Sequence, residues 1–488
     1  MTIRLMLVVA LSLAACSSKL NPFGFLGGTR LTPKGYKHSN GATVVIGIKD
    51  SKLGSCRWVR SGDKIVCAPD ANVAFSDAGC QTPVYVRYGC ANYPMPTHAS
   101  DGLLVFDSCD SVLPSMINLA VRPVGAETTL PATLYYRDSK GICASQGPPG
   151  ANTRVFALGA PITASELVTG TVKSEAREGP LSVDYIEGSD GSAWWLDARD
   201  KTNGVCSFAA LDEPSLDPKT VYCTPSNVAF THPAPDGYTN DPACAGPANL
   251  GYTTGGDRQC TPAAVWVYGS AVMCVGYPVS LAEVGEVVAS SSVRQKSNMQ
   301  CETPTHIDGY SFFRVGATMD KSRFQKLTRA RSDHKGLGVM QTKTAGGSLV
   351  QYADGTIFFD ESGKRCYPLR FTDGRAVCAP DMTVSYSPGA SGSAYFADAA
   401  CMEPLVAVYS GSMCSTPLPI IVEYDAGDST CGSSPIRVRA LGTEHTGTPY
   451  FKIPGGACIE QMIGGTGTRY FRLGNDITST LETLTLLE

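Results

Sequence analysis

Sustained helical periodicity is nearly absent from this chain of 488 residues, which argues against a helical bundle or a fold built on crossover helices. Basic clusters are missing too, and a formal net charge of -4 gives no electrostatic reason to expect a nucleic-acid partner. There is no GxSxG elbow, no HExxH pair and no P-loop, and no CxxC or Cys/His spacing suits zinc. The six histidines, His38, His98, His232, His306, His334 and His445, neither recur at matching positions nor pair at ligand spacing, so they are expected in loops or on the surface. No catalytic residue, metal or cofactor is assigned on this basis.

What is present begins at the front. Residues 1–15 carry one positive charge, Arg4, and an apolar run from Leu5 to Ala15 broken only by Ser12, the pattern of a secretion signal. The run is about half the roughly 20 apolar residues a membrane-crossing helix needs. Leu13, Ala14, Ala15 and Cys16 resemble the lipobox of bacterial lipoprotein precursors, so Cys16 is expected to carry the lipid and become the new amino terminus. Three acyl chains on one cysteine hold a protein stably, at about 0.8 kcal/mol per buried methylene. Ser17 in place of Asp points, by the enterobacterial sorting rule, to the outer membrane.

The cysteine count supports this. Of 19 cysteines, assigning Cys16 to lipid leaves an even 18 in three groups of six. The groups are Cys56, Cys67, Cys80, Cys90, Cys109, Cys143; then Cys206, Cys223, Cys244, Cys260, Cys274, Cys301; then Cys366, Cys378, Cys401, Cys414, Cys431, Cys458. Export makes all 18 candidates for structural disulfides. Six cysteines allow 15 connectivities, and the pairing favoured by proximity is first with second, third with fourth, fifth with sixth. Cys56 and Cys67, for example, flank a strand, a polar turn and a strand.

The cysteines belong to a longer repeat. Each copy opens on Asn or Asp before Gly and runs to an Asp: Asn40-Gly41 to Asp50, Asp190-Gly191 to Asp197, Asp354-Gly355 to Asp360. A CxP step follows at Cys67 and Pro69, Cys223 and Pro225, Cys378 and Pro380, where proline should end a strand. Next comes DxxCxxP, with Asp77, Asp241 and Asp398 at its head. Each copy closes on an aromatic-then-glycine step at Gly159, Gly316 and Gly474, with a weaker echo at Gly125, Gly285 and Gly442 that suggests two related halves per copy.

Short period-two runs such as IRVRAL, punctuated by 51 Gly and 32 Pro, define an all-β class. The expected organisation is a signal peptide (1–15), lipidated Cys and short tether (16–39), module 1 (40–165), a linker strand with module 2 (166–322) and a linker strand with module 3 (323–488). About eight strands per module suit a six-bladed β-propeller, with three consecutive β-sandwich-like domains as the alternative. Phe25–Thr29 resembles Leu167–Thr171, so the N-terminal segment is expected to pair near the C-terminal strand and close a ring.

These DG openings, CxP, DxxCxxP and aromatic-x-LG closures resemble cysteine-rich repeat lipoproteins of unknown function common in myxobacteria and related Gram-negative bacteria. The likeness covers about residues 40–476 and implies a secreted or surface-exposed β-repeat protein, with no activity to carry over. Module 1 departs from the pattern at Asn40, Gly47 and Lys49.

Weak chemical signals remain. DARDKTNG, with Asp197, Asp200 and Asn203, has the oxygen atoms for calcium but not the EF-hand spacing, and reads as a hairpin turn. GASGS at 389–393 lacks the last glycine of a nucleophile elbow, and SDGSAWW at 189–195 is the repeat's own turn. Asp77, Asp241 and Asp398 are expected to accept backbone hydrogen bonds in Asx turns, or else to line a common channel. In the aromatic pairs Trp194-Trp195, Phe358-Phe359, Tyr135-Tyr136 and Phe312-Phe313, one ring of each is expected in the core. Two functions follow: a non-enzymatic envelope protein that binds a glycan or another envelope protein while anchored to the membrane through Cys16, or a propeller enzyme acting on polysaccharide. A structural part of an envelope assembly is a third.

Overall fold

The computed structural model describes residues 24–487 except 42, 72, 89–94, 106–112, 139–140, 151–152, 213–218, 232–236, 247–248, 255–260, 270–277, 298–299, 305–309, 333–337, 352–357, 360–364, 372, 381–382, 387–394, 410–419, 425–434, 453–456 and 461–467. Cys16, Cys90, Cys109, Cys260, Cys274, Cys414 and Cys431, together with Asp354-Gly355, Asp360, His232, His306, His334 and GASGS, lie outside the described residues.

The described chain is β-sheet with a few short 3-10 turns, in agreement with the class expected from its alternating runs. Fifteen strands follow one another in antiparallel hydrogen-bonded order around a closed cycle. Leu31–Lys37, Thr43–Asp50, Gly54–Ser61 and Lys64–Pro69 form a meander, and the last of these pairs with Thr169–Ala176. That strand opens a second set, Leu181–Gly188, Ala193–Asp200, Gly204–Ala209 and Thr220–Pro225, which hands on to Gln325–Arg331. The third set, Gly338–Lys343, Phe358–Phe359, Arg365–Arg370 and Ala376–Pro380, hands on to Thr483–Leu487. Thr483–Leu487 then pairs back onto the first strand, with Gly35 opposite Leu487 and Lys37 opposite Thr485.

The stretches between modules are therefore ring strands. Strand pairing crosses every module boundary, which distinguishes this arrangement from three independent sandwiches and from six equal radial blades. Ring closure is made one strand later than Phe25–Thr29. Phe25 and Leu26 instead pair with Trp194 and Ala193 of the second set.

Three buried clusters fill the ring, each built across a boundary and each holding one disulfide. The first joins Leu31, Trp58 and the Cys56–Cys67 bridge to Val168 and Ile186. The second joins Val183, Val221 and Cys206–Cys223 to Leu327 and Val350. The third joins Phe358, Ala376 and Cys366–Cys378 to Val44 and Leu484. The register explains CxP: Pro69, Pro225 and Pro380 sit opposite the first cysteine of each module at the last strand position, where a missing N–H removes nothing from the ladder.

From each set of ring strands the chain leaves to build a satellite sheet and returns. The satellites of modules 2 and 3 share one eight-strand order, and module 1 repeats it without their parallel-paired first strand. A strand containing the echo glycine pairs with the closing strand of the module, Ser115–Thr128 with Thr153–Leu158, Val279–Val288 with Tyr310–Thr318, and Pro435–His445 with Thr468–Asp476. The two similar glycine steps meet at this crossing. A Cβ on Gly474 would lie 2.5 Å from the Ala440 carbonyl oxygen and one on Gly442 2.6 Å from that of Arg472, with the same crowding at Gly285 and Gly316. Glycine is required there because the paired strands approach more closely than any side chain permits.

The first-with-second pairing agrees with expectation, whereas the remaining described bridges do not. Cys80 bonds Cys143, Cys244 bonds Cys301 and Cys401 bonds Cys458, third with sixth, at Cα separations of 5.8, 5.7 and 5.9 Å. Proximity along the chain misled because the third cysteine lies in a left-handed turn, with φ of 51°, 48° and 53°. Its bridge runs to the outer hairpin of the satellite, Leu134–Arg137 with Cys143–Gly147 in module 1, and not along the strand leading to the fourth cysteine.

Non-reducing peptide mapping should recover linked peptides containing Cys80 with Cys143, Cys244 with Cys301 and Cys401 with Cys458; peptides linking third to fourth would contradict the fold. Leu484, 4% exposed in the third ring cluster, ties the last strand to Val44. Leu484→Ala should cost about 2–5 kcal/mol in chemical denaturation, and an unchanged midpoint would mean that ring closure adds nothing to stability.

Candidate functional site

The three DxxC aspartates come first because they recur. Asp77 accepts hydrogen bonds from the backbone N–H of Gly79 (3.0 Å), Gln81 (3.1 Å) and Thr82 (2.6 Å). Asp241 does the same for Ala243, Ala245 and Gly246, and Asp398 for Ala400, Met402 and Glu403. These backbone donors hold all three carboxyls below the ordinary aspartate range. Each caps its own satellite loop, fixes the left-handed cysteine inside it and sets the bridge: Cys143, Cys301 and Cys458 place Sγ against the carbonyls of Asp77, Pro242 and Asp398. Each accepts three backbone donors of its own loop, which accounts for their recurrence without a shared channel.

The opening Asp of the repeat is Asp200 in module 2, a correction to Asp197. Asp50 accepts from Lys52 and Leu53 N–H, and Asp200 from Thr202 and Asn203 N–H, each opposite a glycine of positive φ, Gly54 and Gly204. DARDKTNG is thus a hairpin turn, and no group of acidic, His or Cys side chains suited to a metal ion occurs among the described residues. Asp197 faces Asp184 across the strand pair, with Arg199 Nε 3.1 Å from Asp184. Burial, together with the Asp184 charge, pushes the Asp197 carboxyl up to about 7, against one backbone bond from Ala198.

The aromatic pairs differ from expectation. Phe358 and Phe359 are both buried, as are Phe312 and Phe313, the last two in separate apolar clusters. Trp194 and Trp195 pack against two different ring clusters. Only Tyr135-Tyr136 leaves a ring well exposed, Tyr136 at 44%. Among the described histidines, His98 contacts Thr97, His38 contacts Ser39 and Asn40, and His445 contacts the Thr448 carbonyl, all in exposed or half-buried settings.

Tyr136 marks a feature that the sequence did not reveal. Between the module 1 satellite and the ring lies a cleft of about 360 Å³, lined in part by Arg57, Phe75, Tyr88, Asp101, Tyr136 and Arg137. A β-bulge between Asp101 and Leu103 breaks the register of His98–Val105 against Ser115–Thr128 and turns Asp101 toward this space. Gly102 sits in the bulge, where a Cβ would come within 2.6 Å of Met116 Cγ. Arg137 is held on three sides: its guanidinium lies 4.5 Å over the Phe75 ring, Nη2 donates to the Cys80 carbonyl at 2.8 Å, and Nη1 stands 3.5 Å from Asp101 Oδ1. Burial raises the Asp101 carboxyl, opposed by the charges of Arg137 and Arg122. Ser100 donates to the Pro69 carbonyl at 2.8 Å, and Tyr88 Oη donates to Gln146 Oε1 at 3.3 Å on the rim.

The strand register gives the equivalent positions in the other modules. Asp101 pairs with Ala120, Val267 with Ser280 and Glu423 with Arg437, each partner five residues before the echo glycine. Glu423 is closed off by Arg439 Nε at 2.6 Å and Arg437 Nε at 3.2 Å, and module 2 has valine. A buried acid with a loosely engaged guanidinium beside an open cleft is thus a feature of module 1. No protein family and no curated protein matches the chain.

Two outcomes test these assignments. Asp197 has a higher pKa folded than unfolded, so its ionisation opposes folding, and stability should rise as pH falls from 8 to 5.5 while it protonates in the fold. Asp197→Asn should flatten that part of the melting profile; an unaltered slope would show that Asp197 is an ordinary carboxyl. The DxxC aspartates act in the opposite sense, their contribution being present above the unfolded value and lost as pH falls below it. Asp398→Ala should therefore lower the melting temperature at pH 7 and remove part of the acid-induced loss below about pH 4.

Proposed function

We propose that this is an exported lipoprotein of the outer membrane, anchored through acyl chains on Cys16, whose three modules present a rigid, non-enzymatic surface for binding or adhesion to a glycan or to another envelope protein. The observation that carries the proposal is that all twelve described cysteines are in disulfides, arranged alike in each third of the chain. Such bridges persist in oxidising compartments outside the cytoplasm. With Leu13-Ala14-Ala15-Cys16 ahead of them, they favour the cell envelope, in keeping with the resemblance to cysteine-rich repeat lipoproteins.

The enzymatic alternative relied on acidic side chains from all three modules acting together. Asp77, Asp241 and Asp398 each accept hydrogen bonds from donors of their own loop, which gives that alternative no support. A ring closed by Leu31–Lys37 and Thr483–Leu487, bearing stapled sheets, suits display of loops at fixed spacing.

Fractionation tests the anchor: the native protein should follow the membrane, and Cys16→Ser should move to the soluble periplasm or the medium. Recovery of both in the soluble fraction would overturn it. For the binding role, cross-linked pull-down from intact cells should enrich envelope material dependent on the ectodomain, and surface proteolysis should decide which face of the membrane it occupies.

A further inference from the structure

We infer that the module 1 cleft is a binding subsite for one residue of a neutral glycan, a pyranose ring without charged substituents. The inference rests on the binding role proposed above and names the ligand class at one place in it.

The first argument is charge. Two guanidinium groups and one buried acid line the cleft, and each cation already faces a carboxylate: Arg137 faces Asp101, and Arg57 Nη2 lies 3.5 Å from Asp70. An anionic or cationic ligand would enter without an uncompensated counter-charge, while hydroxyl groups need none. Hydroxyls both donate and accept, which suits a wall carrying an acceptor-only carboxylate beside a donor-only guanidinium.

The second is geometry. Charge-assisted N–H···O bonds close to about 2.7–2.9 Å when nothing intervenes. The Arg137–Asp101 approach is 3.5 Å, and among the described residues it is the only polar contact of the Asp101 side chain. Arg137 is meanwhile fixed by Phe75 and the Cys80 carbonyl, so it does not need Asp101 to hold its place. A vicinal diol could bridge the two, one hydroxyl donating to Asp101 and its neighbour accepting from Arg137.

The third is the rim. Tyr88 and Tyr136 are 51% and 44% exposed at the mouth, unlike the buried aromatic pairs elsewhere. Such rings present a flat apolar face with a polar edge, which matches the C–H face of a sugar. Leu104 and Met116 contribute an apolar surface deeper in, and 360 Å³ lies at the small end of ligand sites, fitting one sugar better than a long chain.

What faces the acid separates this place from its equivalents, since module 3 has its own register shift beside Glu423. In module 3 the matching acid is closed by two arginines, and in module 2 it is replaced by Val267. Recognition should therefore be confined to module 1.

The full-length protein in a detergent that is not itself a glycoside would be titrated with the methyl glycosides of glucose, galactose, mannose and N-acetylglucosamine, and with methyl glucuronide as the charged probe, by saturation-transfer NMR. At least one neutral glycoside should bind saturably with a Kd on the order of 1 mM. Tyr136→Ala, at an exposed position, and Asp101→Asn should each weaken binding about tenfold while leaving the melting transition in place. Absence of saturable binding by any neutral glycoside, preference for the glucuronide, or undiminished binding in either variant would overturn the assignment. If those results came with a pull-down that still recovers envelope material, only this inference would fail; loss of both would remove the broader role as well.

Discussion

Every other feature of this molecule depends on closure of the ring by backbone hydrogen bonds between Leu31–Lys37 and Thr483–Leu487. An open meander of this length would expose two strand edges, each a template for unwanted pairing. Joining the first strand to the last removes both edges. The three ring clusters are shared between modules, so that Val44 completes the third and Val168 the first. A module lifted out of the cycle would lose part of its interior, which is why the linker strands are structural elements in their own right.

Within that frame the modules solve a second problem, how to hold a satellite sheet rigid on a small core. Two covalent devices repeat. One bridge lies diagonally across a ring hairpin inside an apolar cluster, and the other joins the DxxC loop to the outer hairpin of the satellite. In the second, a carboxylate gathers three backbone donors and holds a cysteine at positive φ, a conformation costly for a non-glycine residue unless its surroundings fix it. The aspartate and the disulfide act together: the cap shapes the turn, and the turn aims the sulfur.

Repetition also explains where variation appears. The aspartates that cap the loops and the glycines that cross are the same three times over. The position occupied by Asp101, Val267 and Glu423 is not. An open cleft borders the first, while two arginines close over the last. Function is most economically sought where the copies depart from one another on a shared scaffold.

Much of the scaffold was legible in the residues. Alternating short runs pointed to the all-β class, the cysteine groups to the modules, and the strand-turn-strand between Cys56 and Cys67 to the first bridge, because each of these follows from contacts close along the chain. The echo at Gly125, Gly285 and Gly442 was visible, though not its reason, since the crowding arises only when it crosses the closing glycine. Assigning the module 2 opening to Asp197 failed for the same kind of cause: Asp197 and Asp200 are both plausible in a string, and only strand register aligns Asp200 with Asp50.

By itself, then, the sequence determined local matters: strand character, turn chemistry, the caps at Asp77, Asp241 and Asp398, and hairpin disulfides. Tertiary structure alone decided the third-to-sixth bridges, the sharing of cores across module boundaries and the cleft beside Asp101. Hydrogen bonding of a turn is settled within a few residues, whereas each of those depends on segments tens to hundreds of positions apart.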